Sequence, residues 1–112
     1  MSPALRVAAV VPDLMTYSRI EGAAAASGVS ILRADDPAQL PAEPFDLVLV
    51  DWESRGHGWG LLLADRSDGR LIVFGPHTDL EAHGAAREAG IGPMWARSKL
   101  VASLPGILAG DR

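Results

Sequence analysis

The chain has 112 residues, the length of one ordinary domain, and 48% of them are hydrophobic; 18 residues are alanine, which predicts a thin core of small side chains. The absence of cysteine excludes disulfides, thiolate metal sites, iron–sulfur chemistry and a cysteine nucleophile. A formal charge of -4 and a pI near 5.2 oppose binding to nucleic acid, and no apolar run approaches the roughly 20 residues of a membrane span. With no signal-peptide pattern at its start, the chain is expected to be soluble and cytoplasmic.

Along the chain, short β-branched runs alternate with alanine- or leucine-rich stretches closed by glycine, as βαβ units do. Leu5 to Val11 is predicted as a buried first strand, and Leu14 to Ser27 as a helix ended by Gly28 in the left-handed position. Val29 to Arg33 gives a second strand. Asp36 then caps a short helix that starts at Pro37 and runs to about Leu40. Phe45 to Asp51 is the clearest strand, an apolar run that ends on an acid.

Glycines 56, 58 and 60 predict a loop, Leu61 to Arg66 a short helix, Asp68-Gly69 a turn and Leu71 to Phe74 a fourth strand. Thr78 and Glu81 fit a capping box for a helix running to Ala89, with Gly90 as its stop. Met94 to Ala96 is a brief fifth strand. Ser98 is expected to cap a last helix from Lys99 that Pro105 breaks or restarts, with Ser103 available as a second cap. Together these elements predict one domain over residues 1–112, an α/β flavodoxin-like doubly wound three-layer sandwich with a five-stranded parallel sheet in the order 2-1-3-4-5.

In such sheets chemistry gathers at the carboxyl ends of strands one and three, which here carry Asp13 and Asp51. Two acids at one switch point repel unless a cation sits between them or one is protonated, and Mg²⁺ is the hard ion that suits carboxylates. With it, Asp51 could attack a phosphoryl group. Trp52, His57 and His77 fall on the same end of the sheet and are candidates to line a ligand mouth. His83, on the predicted third long helix, reads as surface.

Val10-Val11-Pro12-Asp13, Phe45 through Asp51 and Ala86 through Gly90 make the whole chain resemble the receiver domain of bacterial two-component response regulators, in a divergent or pseudo-receiver form. The resemblance implies that Asp51 stands at the phospho-acceptor position and Asp13 in the acidic pocket. It also implies that Gly75 replaces the switch hydroxyl and that Arg97 stands near the position of the family's lysine. Pro12 stands where the first acid of the pair is expected and offers no ligand. Arginine keeps the charge of lysine but not its shape, and an Arg97 to Asp51 salt bridge could replace metal and phosphoryl group together.

The functional expectation is a stand-alone signalling module that is not an enzyme and takes no cofactor, working through protein contacts without the phosphorylation switch. Its expected partners are a sensor kinase, a transcriptional regulator or a second copy of itself, through the fourth helix, fifth strand and fifth helix of the family's frame. Two alternatives stay open: a small-ligand or metal-binding protein using the mouth at the ends of strands one, three and four, and an active Mg²⁺-dependent phospho-acceptor using Asp51.

Overall fold

The structure is a computed structural model that describes residues 5–66 and 69–109. Its five strands are all parallel, in the order β2-β1-β3-β4-β5. They are β1 Val7–Val10, β2 Ile31–Ala34, β3 Leu47–Asp51, β4 Arg70–Gly75 and β5 Trp95–Ala96. The helices are α1 Leu14–Ala26, α2 Trp59–Ala64, α3 Leu80–Glu88 and α4 Arg97–Leu108. The α/β flavodoxin-like architecture expected from the sequence is the one observed.

Alternation along the strands builds two cores from one sheet. Val7, Ala9 and Val11 face Ile20 and Ala24 of α1 and Leu100, Leu104 and Leu108 of α4. Their neighbours Ala8 and Val10 face the opposite way, with Val48, Val50 and Val73, toward Trp52, Trp59, Leu63, Ala82 and Ala86. Both faces of β1 and β3 are covered, which is why these strands read as unbroken apolar runs instead of alternating ones. The alanines of α1 and α3 let backbone and sheet approach closely.

Several local expectations are corrected. The segment after β2 is a single 3₁₀ turn, Pro37–Gln39, although Asp36 caps it as expected, accepting from the Ala38 N–H at 2.8 Å. Asp79, not Thr78, caps α3: its carboxylate accepts from the Ala82 N–H at 3.0 Å, and a charged acceptor is the stronger cap. The last helix starts at Arg97 with Ala96 at its cap, so Ser98 lies inside the first turn.

Pro105 does not break α4. It forgoes one backbone hydrogen bond, while burial of Leu100, Leu104 and Leu108 along one stripe holds the helix on either side. Gly28 and Gly90 take positive φ, 73° and 75°, at the two helix ends where the sequence placed them. The predicted Asp68-Gly69 turn lies partly outside the described residues, at Asp68. Among the described residues, no helix is long and apolar enough to cross a membrane.

Candidate functional site

The carboxyl ends of β1 and β3 present the two acids differently, and the register explains why. Val10 pairs with Val50, so Asp51 is still within the sheet, opposite Phe74 of β4, whereas Asp13 lies past the end of β1. Asp51 is 1% exposed and Asp13 is exposed.

Asp13 is the N-cap of α1. Its Oδ1 accepts from the Met15 N–H at 3.2 Å and its Oδ2 from the Thr16 hydroxyl at 2.7 Å. Those bonds favour the charged form and hold the carboxyl below its ordinary pKa, the Thr16 hydroxyl first, then the Met15 amide, with Arg97 adding a smaller pull.

Asp51 also has a hydroxyl three residues on: Ser54 donates to its Oδ2 at 2.9 Å across the 3₁₀ turn Trp52–Ser54. Its Oδ1 is buried without a hydrogen-bond partner. Burial pushes the Asp51 pKa up, against the Ser54 bond and the charge of Arg97, which pull it down. The carboxyl is desolvated and half satisfied.

Arg97 lies near enough to influence both acids, yet it bonds neither of them. Its Nη2 donates to Glu53 Oε1 at 3.1 Å, so the expected salt bridge to Asp51 is replaced by one to Glu53. Arg97 Nε is buried and without an acceptor. The wide guanidinium reaches the exposed carboxylate on the turn more readily than one enclosed in the sheet.

Gly75 ends β4 and is buried. A Cβ there would stand 3.0 Å from the Met94 sulfur and 3.7 Å from the Glu53 nitrogen, so thioether and backbone occupy the space beside a larger side chain. Trp52, expected to line a mouth, is instead a core residue, 2% exposed, its indole N–H donating to the Ala82 carbonyl at 2.9 Å. Its ring packs in the core shared with Trp59 and Leu63 of α2 and Ala82 and Ala86 of α3, with the Arg55 guanidinium 5.3 Å from its centroid. Trp59 is likewise buried, donating to Asp36 Oδ2 at 3.1 Å. His57 and His77 are exposed, and the His77 carbonyl is 3.0 Å from His83 Nε2.

Mg²⁺ takes near-octahedral oxygen coordination, toward which Asp13 and Asp51 bring two carboxylates. Of the oxygens on Asp13 and Asp51, both of Asp13 and Oδ2 of Asp51 already accept hydrogen bonds, and a guanidinium stands close by. Among the described residues, no group of three or more His, Asp and Glu side chains is placed to hold a metal.

Glu53, Ser54, Thr16 and Met94 complete the site and were missed by the sequence reading. The first three carried a signal: acid-x-x-hydroxyl occurs at Asp13/Thr16 and at Asp51/Ser54, a spacing that one turn of helix brings together, and Glu53 shares that turn. Met94 carried none, because its contact with Gly75 crosses from the loop before β5. No family model, curated protein or solved structure matches the chain.

Proposed function

We propose that the chain is a receiver-like signalling module that acts by contact with a protein partner and is not phosphorylated on Asp51. The enclosure of Asp51 carries this reading. A phosphoryl donor must approach a carboxylate in line, with cations to offset the charge it brings, and this carboxylate is 1% exposed within the sheet. The Met94 sulfur beside Gly75, and the pairing of Arg97 with Glu53, favour a site fixed in one arrangement.

Outside the enclosed acid the surface carries exposed apolar side chains. Leu14 and Met15 at the start of α1 and Leu80 at the start of α3 are 66%, 75% and 81% exposed, on helices that leave the same end of the sheet. Apolar side chains held out in solvent suit a contact with a protein. A kinase, a transcriptional regulator or a second copy is the partner class this reading carries, in the cytoplasm.

The test is an amide NMR spectrum recorded with Mg²⁺ and fluoroberyllate, which mimics an acyl phosphate. The expected result is no shift at the ends of β3, β4 and β5. Saturable shifts there that vanish in Asp51→Ala would establish a phospho-acceptor instead.

A further inference from the structure

Beside the enclosed acid, and sharing Arg97 with its site, an open cleft of about 490 Å³ is lined by Arg19 of α1 and by Arg97, Ser98, Val101 and Ala102 of α4. That volume lies within the range of small-molecule sites. Its walls combine two kinds of surface. Val101 and Ala102 offer an apolar floor one turn into α4, while the two arginines come from different helices, Arg19 from α1 and Arg97 from α4.

The Arg19 side chain makes no hydrogen bond or ion pair with any described residue. Glu53 holds one amino group of Arg97, whose side chain is still 34% exposed. Lys99, the other cation on this turn, is placed over the Trp95 ring at 4.3 Å. On a chain of net charge -4, two arginines line one cleft, Arg19 with its charge unpaired among the described residues and Arg97 sharing its charge with Glu53.

We propose that this cleft binds a small organic anion, a carboxylate or phosphate monoester on a short apolar body. The acid group sits between Arg19 and Arg97, within reach of the Ser98 hydroxyl, and the body lies on Val101 and Ala102. Guanidinium is suited to this task because its planar fork pairs two N–H groups with two oxygens. The inference is independent of whether Asp51 is phosphorylated.

Octanoate and octyl phosphate are the probes, titrated into the labelled chain and followed by amide NMR, with octanol and inorganic phosphate as controls. The two anions distinguish carboxylate from phosphate. Saturable shifts confined to α1 and α4 are expected for at least one of them, with affinity about tenfold weaker in Arg19→Gln and in Ala102→Glu. Both substitutions are at exposed positions outside the Asp51 site, so the fold is retained. Octanol binding as tightly as the anions, affinity unchanged in Arg19→Gln, or no saturation by either anion would each overturn the proposal.

Discussion

Asp13 and Asp51 begin from the same local chemistry and end with opposite electrostatics. Asp51 ends β3 and Asp13 lies past the end of β1, both at the same end of the sheet, and each accepts from a hydroxyl three residues on, at 2.7 Å from Thr16 and 2.9 Å from Ser54. Asp13 stands beyond the sheet, uses both oxygens and has a lowered pKa; Asp51 is the last paired residue of β3, uses one oxygen and has a raised pKa. The difference teaches that spacing sets the hydrogen bond, whereas register sets depth, and depth decides which protonation state the fold favours.

The largest expected effect comes from breaking what encloses Asp51. Trp52→Ala removes a buried indole and its bond to the Ala82 carbonyl, and should cost about 3–5 kcal/mol in urea unfolding. It should also bring the titration of Asp51 closer to that of Asp13, because water then reaches the carboxyl. Retention of full stability would mean that Trp52 does not anchor the end of β3 to α3.

Next in size, Ser54→Ala deprives a buried carboxylate of its one side-chain donor, for a cost of about 1–3 kcal/mol at neutral pH. Thr16→Val removes the matching donor from Asp13, where solvent replaces it, and should lower Tm less. Equal losses in the two variants would break the comparison.

The smallest effect is the pH dependence, and its sign differs between the two acids. Asp51, with its folded pKa raised, contributes stability that is present below about pH 4 and lost as pH rises through the folded value. Asp13, with its folded pKa lowered, contributes stability that is present above about pH 4 and lost as pH falls through the folded value. Denaturant midpoints measured from pH 3 to 7 should therefore show Asp51→Asn gaining on the parent chain as pH rises. Asp13→Asn should lose ground over the lower part of that range.

Much of this fold is legible in the sequence because each element carries its own local signal. Unbroken apolar runs mark β1 and β3, Gly28 marks the end of α1, and Asp36 before Pro37 marks a cap. Choices between adjacent candidates were harder to read. Thr78 and Asp79 can each cap α3, and the helix starts one residue after the acid. Pro105 reads as a breaker, and tertiary burial of the leucines on either side overrides it. In the site, the acids and Arg97 were legible as residue types at strand ends. The exchange of Asp51 for Glu53 as the arginine's partner depends on depth within the sheet, which a single sequence does not print.

The central claim is that Asp51 is an enclosed acid and not a phospho-acceptor. Its most direct test is the intact mass of the chain after incubation with acetyl phosphate and Mg²⁺. The account predicts an unchanged mass at every donor concentration; gain of one phosphoryl group per chain, lost in Asp51→Ala, would contradict it.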